Sequence, residues 1–256
     1  MSWPSLYDVL LVAFRWLEYA GLIGFVGVVV VRRLAGLRPP LQWARVSMRP
    51  SLVAALIGGI GVVILEAIPL WHPTGAGVLR VLAEAVALFL CVYVRRWVVP
   101  PVVVALAALA FDGHASQVPS AEGAIFVDFV HVLSAGMWAG GILVLATLFP
   151  PGGWGGSEGR ALLQRFGRVA FLAFAITALT GALRATAKLR GLSDLWTTEY
   201  GLVLSAKMAG VAVMVAMSAL MWRRGAQSAR YEGLVVLLVL AATAALAVSP
   251  IHPGQG

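Results

Sequence analysis

The sequence predicts an all-α, polytopic bundle of transmembrane helices. The chain has 256 residues, of which 61% are hydrophobic and only 12% are charged. Several apolar runs reach the roughly 20 residues that a helix needs to cross a bilayer. Because these runs are continuous rather than alternating, they favour helices over the strands of a membrane barrel.

The apolar runs, and the charges and turns between them, predict about eight membrane spans. A Gly/Pro-rich loop with Arg160, Arg165 and Arg168 is expected between the fifth span and the sixth. The first span is long and has no basic segment before it, which predicts a retained helix rather than a cleaved leader. The expected spans cover, approximately, residues 6–31, 51–70, 77–94, 97–111, 124–149, 169–187, 200–222 and 232–248.

The placement of Lys and Arg predicts the orientation. The connections after spans one, three, five and seven hold thirteen of the nineteen basic residues, so they should face the cytoplasm. Both termini then lie on the outer side of the membrane. The net charge of +8 comes largely from these clusters at span ends, which argues for membrane lipid and against nucleic acid as a partner. The single Cys91 leaves no intrachain disulfide and no CxxC motif.

The predicted topology gathers ligand-type side chains on the outer side. Nine of the eleven acids lie there or in the outer part of a span. A histidine in a loop between spans is explained equally well by a solvent-exposed helix end and by a binding site. His131 differs because it lies within a span. The four histidines, all on the outer side, are His72, His114, His131 and His252.

The fifth span carries the most informative segment, Asp128 to Gly141. Asp128 and His131 are three residues apart and therefore share one face of a helix. Met137 and Trp138 follow about two turns later. An acid and a histidine within an apolar span are energetically unfavourable, so their presence indicates a function.

The first span aligns with the fifth, which predicts a parallel tandem repeat of two four-helix halves, residues 1–111 and 112–256. The alignment matches Glu18 with His131. We expect these two side chains to lie at related depths and to face each other across the interface between the halves, where transporter sites tend to lie. The other matched pairs are Arg15 with Asp128, Phe25 with Trp138, and Gly27 with Gly140.

Other charges within spans have local partners. Arg15 lies three residues from Glu18, and Arg80 lies four residues from Glu84, which favours charge-neutralising pairs within each helix. Lys207 has no acid near it on its own helix, so we expect it to pair across helices. The candidate partners of Lys207 are Glu66, Glu84 and Asp128.

Methionines recur at helical spacing on the seventh span, at Met214, Met217 and Met221. A column of thioethers could pass a soft ion such as Cu(I). Methionine is also an ordinary packing residue in helices, and packing is the simpler explanation here.

Several short motifs occur in a defined order. The segment from Asp128 to Gly141 has an acid, a histidine three residues on, a tryptophan seven further and a Gly-Gly pair. The others are Gly113-His114-Ala115, Arg165-Phe166-Gly167-Arg168, Thr180-Gly181, Thr198-Glu199-Tyr200-Gly201 and Lys207. In this order they resemble the copper resistance protein D family (CopD/PcoD type). The resemblance covers about residues 110–225 and is looser before them.

The resemblance implies an inner-membrane copper protein that moves copper inward from the periplasm, in copper homeostasis or resistance, with a separate periplasmic carrier of the CopC type. His114 and His131 would then be copper ligands, and His72 and His252 are further candidates. Where the family's first helix often has a histidine, this chain has Glu18, a harder ligand that suits Cu(II) better than Cu(I). The residues expected beside the copper site, or along a path for the ion, are Asp128, Met137, Trp138, Lys207, Met214 and Met217.

The residues are compatible with other functions. Histidines near the outer ends of different helices also hold haem b in membrane cytochromes, with His114, His131 and His72 as candidate axial ligands. A purely structural membrane partner is a third hypothesis, and imidazole binds zinc as well as copper. The sequence has no nucleotide-binding P-loop and no nucleophile constellation, which predicts a protein that is not an enzyme.

Overall fold

The chain is helical throughout the residues that the computed structural model describes, which are 5–111, 121–186, 191, 193–224 and 229–248. Within these ranges it forms no strand, and this confirms the predicted all-α fold class. The helices are α1 (Leu6–Ala35), α2 (Arg49–Leu70), α3 (Gly75–Tyr93), α4 (Val99–Phe111), α5 (Ala121–Ala135), α6 (Gly141–Ala146), α7 (Ser157–Thr186), α8 (Asp194–Thr197), α9 (Glu199–Arg224) and α10 (Ala229–Val248). A π-helical turn, Gly136–Gly140, joins α5 to α6, and short 3-10 turns cover Gln42–Ala44 and Arg95–Trp97.

A helix lies at each of the eight positions predicted to span a membrane, with α5, the π turn and α6 together forming the fifth. By length and composition, five stretches of the described chain could cross a bilayer: Leu6–Ala35, Gln42–Pro69, Gly75–Tyr93, Glu122–Ala146 and Ser157–Thr186. α4 is shorter, with 13 residues. The protein is therefore a multi-pass helical membrane protein.

α7 begins much earlier than the sequence predicted. It starts at Ser157 rather than near residue 169, so Arg160, Arg165 and Arg168 lie on a helix and not in a loop. Glu158 stands in the first turn, where a carboxylate interacts favourably with the helix dipole. The prediction failed because charged turns outside the apolar run were taken as the end of the span, although a helix continues beyond a bilayer as readily as it ends at one.

Arg165 connects this extension of α7 to the segment that follows α1. Its guanidinium donates hydrogen bonds to three backbone carbonyl oxygens, at 2.9 Å from Leu34, 3.3 Å from Leu37 and 3.0 Å from Pro39. A planar guanidinium with several donors is well suited to such a cluster of carbonyls. The arginine therefore fixes the ends of two long helices relative to each other.

α1 is the central helix of the bundle and contributes to two hydrophobic cores. Ile23 and Val28 pack with residues of α6, α7 and α10, whereas Leu22 and Phe25 pack with residues of α2, α3 and α4. The indole N–H of Trp16 also donates to the Leu237 carbonyl oxygen of α10 at 2.9 Å. α1 therefore separates the two cores and belongs to both.

The neighbours of each helix follow a similar scheme in the two predicted halves. α1 packs against α2 as α5 packs against α7, and α3 packs against α4 as α9 packs against α10. The first helix of each half also contacts the last helix of the other half, since α1 packs on α10 and α5 packs on α4. The division at residues 111 and 112 stays a prediction, but the packing scheme agrees with it.

α1 and the π turn cross in close contact, at the boundary between the two predicted halves. A Cβ atom on Gly27 would collide with the backbone of Gly140, and a Cβ atom on Gly140 would collide with the carbonyl group of Ile23. Small residues are what allow membrane helices to pack backbone to backbone. π turns are rare and are often found near functional sites, because they change which residues face a neighbouring helix.

We predict that Gly27→Ala destabilises the protein, because the added methyl group has no space between the two backbones. Overpacking of this kind typically costs about 1–3 kcal/mol. Thermal unfolding in detergent, followed by size-exclusion chromatography, would measure the effect. Gly123→Ala on α5 is the matched control, since a Cβ atom there meets nothing within 4 Å. Equal thermal stability of both variants would contradict the crossing described above.

Candidate functional site

A row of polar side chains lies between α5 and α7. On α5 and the π turn these residues recur every three or four positions, and so do their counterparts on α7, so each set occupies one helix face. We call this row the α5–α7 seam; its members are Asp128, His131, Ser134, Trp138, Thr177, Thr180 and Arg184.

An ion pair forms one end of the seam. The Nε atom of Arg184 lies 2.7 Å from the Oδ1 atom of Asp128, and the Asp128 side chain is 13% exposed. The pair joins the middle of α5 to the last turn of α7. It therefore neutralises the Asp128 charge where the helix enters the apolar region.

His131 is partly buried one turn further along α5 and is hydrogen-bonded to α7. Its Nδ1 atom lies 2.9 Å from the hydroxyl oxygen of Thr180, and that hydroxyl donates to the Ile176 carbonyl oxygen at 2.7 Å. Because the single hydroxyl hydrogen of Thr180 is used in this bond, we assign the imidazole hydrogen to Nδ1, which donates to Thr180. Nε2 then carries the lone pair, and a neutral imidazole with a free lone pair is a good metal ligand.

Hydroxyl groups continue the seam toward the π turn. The Trp138 indole N–H donates to the Thr177 hydroxyl at 3.0 Å, and Ser134 lies 2.8 Å from the same oxygen. The Trp138 ring also packs edge-on against Phe174, with 5.1 Å between ring centroids. These bonds satisfy the polar groups of a buried tryptophan and fix the orientation of its ring.

Gly181 makes room for the imidazole. A Cβ atom at Gly181 would lie 3.2 Å from the Cε1 atom of His131, which is tighter than most side-chain contacts. The Thr180-Gly181 dipeptide therefore supplies both the hydrogen-bond acceptor and the space for His131.

Two cations act on His131 from other helices. Lys207 of α9 and Arg184 of α7 are both close enough to interact electrostatically with the imidazole. Asp128 offsets one of these charges through its ion pair with Arg184. The surroundings of His131 are thus more positive than its immediate hydrogen bonds suggest.

A second polar group lies in the N-terminal half and corrects the predicted local pairs. Glu18 forms an ion pair with Arg80 of α3, with 2.5 Å between Oε1 and Nε, and both side chains are fully buried. Arg15 instead pairs with Glu66 of α2. The prediction that Arg15 and Glu18 neutralise each other was therefore wrong: each finds its partner on a neighbouring helix.

Glu18 and His131 do not face each other as the alignment predicted. Glu18 meets Arg80, and His131 meets Thr180, so each side chain contacts a helix of its own half. The matched residues Arg15 and Asp128 nevertheless behave alike. Each forms an ion pair with the helix that packs beside it, with the order of the charges reversed.

The remaining predicted site residues are not brought together with His131. His72 is exposed in the turn after α2, with its Nδ1 atom 3.4 Å from the Pro73 carbonyl oxygen. Met137 packs between the two hydrophobic cores. His114 and His252 lie outside the described residues, as do the side chains of Met214 and Met217.

Among the residues that the structure describes, no group of three or more His, Cys, Asp or Glu side chains is arranged to hold a metal ion. A binding site at His131 therefore needs a ligand from elsewhere in the chain, from a partner or from solvent. Sequence reasoning missed Ser134, Thr177 and Arg184, which complete the seam. The signal was present, because Thr177, Thr180 and Arg184 recur at helical spacing in an apolar span.

The fold and the seam define a multi-pass membrane protein with a polar site between two of its helices. The family model described as copper resistance protein D matches residues 160–249. This confirms the resemblance over α7 to α10, which carry Thr177, Thr180, Arg184 and Lys207.

A relative that is named as a copper transport protein also supports this resemblance. The chain is 30% identical over 118 residues to the copper transport protein CutJ of Bacillus subtilis (strain 168). The match covers 45% of this chain but only 22% of that relative. No solved structure matches the chain.

We predict that Thr180→Val destabilises the protein by about 1–2 kcal/mol, because the imidazole loses its hydrogen-bond partner in a partly buried position. Valine keeps the shape of threonine, so the change isolates the hydroxyl. Thermal unfolding of the purified protein would measure it. Thr186→Val, at an exposed position of the same helix, is the control. A comparable loss in both variants would contradict the role assigned to Thr180.

Proposed function

We propose that this protein binds copper from the periplasmic side of a bacterial inner membrane and moves it across that membrane. The observation that carries the proposal is His131, an imidazole within a span whose Nδ1 is held by Thr180. The match of residues 160–249 to the copper resistance protein D family supports copper as the cargo. The relative named as a copper transport protein supports the same function.

The copper ligand on α5 is the Nε2 atom of His131. His114 lies in the segment directly before α5 in the sequence and is the proposed second ligand. His72 and His252 belong to the same predicted outer side and are further donors. Imidazole suits both Cu(I) and Cu(II). Glu18 is not part of the proposed site, because its carboxylate is engaged by Arg80.

The positive charges near His131 weaken copper binding and thereby favour release of the ion over tight binding. Lys207 and Arg184 oppose the binding of a further cation at the imidazole. A transport site has to bind its cargo strongly enough to accept it and weakly enough to release it. Lys207 is therefore the proposed residue that weakens copper binding at the seam.

The proposed orientation has both termini in the periplasm, and a separate carrier of the CopC type would deliver copper to that side. The cytoplasmic side would then hold the basic clusters after the first and third spans, as the distribution of Lys and Arg favours. These clusters include Arg32, Arg33, Arg95 and Arg96. We do not propose the haem alternative, since the comparisons name copper and give haem no support.

We predict that His131→Ala lowers the copper bound per protein by about one equivalent or weakens its binding by at least about tenfold, as expected for loss of an imidazole ligand. Elemental analysis and copper titration of the purified protein would measure this. Thr186→Val, at an exposed position of α7 outside the seam, is the control and should leave copper binding unchanged.

Unchanged copper stoichiometry and affinity in His131→Ala would rule out the site. An absorption spectrum of the same preparations distinguishes the alternatives, because a Soret band that His131→Ala abolishes would indicate haem instead of copper. Uptake of copper into proteoliposomes would then test transport itself.

We predict that Lys207→Met tightens copper binding by about tenfold, because it removes a positive charge that acts on His131. Lys207→Arg keeps the charge and should leave the affinity close to that of the unmodified protein. Copper titration with a competing chelator would measure both variants. Equal or weaker binding by Lys207→Met would show that Lys207 does not oppose the copper ion.

A further inference from the structure

The N-terminal helices contain an ionic cluster, fully buried at Glu18, Arg80 and Glu84, that the proposed copper site does not use. Its members come from three helices and form two ion pairs, Arg15 with Glu66 and Arg80 with Glu18. We call it the N-terminal ionic cluster; it consists of Arg15 and Glu18 on α1, Glu66 on α2, and Arg80 and Glu84 on α3.

The two ion pairs described above do not include Glu84. Its side chain is fully buried and, as for Glu18, neither carboxylate oxygen receives a hydrogen bond from the described part of the chain. A buried carboxylate without hydrogen-bond donors is strongly destabilised in its charged form. Glu84 therefore needs either a further positive charge or a proton.

Glu84 and Glu18 converge on one point of α2. A Cβ atom at Gly59 would lie 3.2 Å from the Oε1 atom of Glu18 and would collide with the Oε2 atom of Glu84. The absence of a side chain at Gly59 thus makes the space that the two carboxyl groups occupy. Two carboxylates in one such space cannot both remain ionised at small energetic cost.

The charged groups around Glu18 and Glu84 come from several helices. Arg80 acts on both carboxyl groups, and Arg15 and Glu66 act on Glu18. Tyr19, beside Glu18, also interacts with Arg15, Arg80 and Arg184 of α7. A charged carboxylate inside a membrane is highly unfavourable, and one proton removes that charge.

A metal ion fits this space less well than a proton does. A cation between Glu18 and Glu84 would compete with Arg80, whose guanidinium already contacts Glu18. The described residues also offer no group of three ligand side chains here. A proton needs only an oxygen lone pair and makes a hydrogen bond from one carboxyl group to another.

We propose that Glu18 and Glu84 share one exchangeable proton and together form a proton-binding site in the N-terminal half. The proton is bound to one carboxyl oxygen and donated to the other, while Arg80 balances the remaining charge. This proposal does not rest on the copper function, because proton binding can be observed in the protein without any metal.

Infrared spectroscopy of the purified protein tests the proposal. At neutral pH we expect a carbonyl band from one protonated carboxylic acid per chain, shifted in heavy water. Glu84→Gln and Glu18→Gln should each abolish the band, since either change leaves only one of the two carboxyl groups that meet at Gly59. Glu158→Gln, at an exposed position of α7, should retain it.

A wild-type protein without this band overturns the proposal, and that result does not depend on how any variant folds. Persistence of the band in a folded Glu84→Gln or Glu18→Gln protein overturns it as well, as does loss of the band in Glu158→Gln. Circular dichroism of each variant establishes that it is folded before its spectrum is compared.

Discussion

The close crossing of α1 with the π turn is the constraint on which the rest of the bundle depends. Gly27 and Gly140 bring two backbones into contact, which places α1 between two hydrophobic cores. The same π turn contains Trp138, whose indole reaches Thr177 on α7. The π turn therefore contacts α1 on one face and, on another, positions Trp138 to bond with Thr177 in the α5–α7 seam.

The N-terminal and C-terminal helices neutralise buried polar groups with different residues. Hydroxyl groups and one ion pair surround an imidazole between α5 and α7. Around α1, Arg15 pairs with Glu66 and Arg80 pairs with Glu18. The first arrangement is the one proposed to hold a metal ion, and the second is the one proposed to hold a proton.

The sequence predicted the helices well because their signal is local. Eight apolar runs and the basic clusters between them predict the spans, and the unfavourable burial of His131 makes it a candidate functional residue without any structural knowledge. The early start of α7 was missed because its first turns lie outside the apolar run.

Partners across helices could not be predicted in the same way. Spacing of three residues favoured a pair between Arg15 and Glu18, yet Glu66 and Arg80 are their partners. Contacts between helices depend on how the helices are rotated and tilted relative to each other. The local spacing of residues determines neither the rotation nor the tilt. The same limit applies to Ser134 and Thr177, whose contact exists only once α5 and α7 are packed.

The two arginines of α7 attach opposite ends of the helix to different parts of the bundle. The three hydrogen bonds of Arg165 hold the earlier part to the segment that follows α1, and Arg184 joins the last turn to Asp128 of α5. One helix thereby connects the segment after α1 with the far end of the seam, so the position of the seam depends on contacts at both ends of α7.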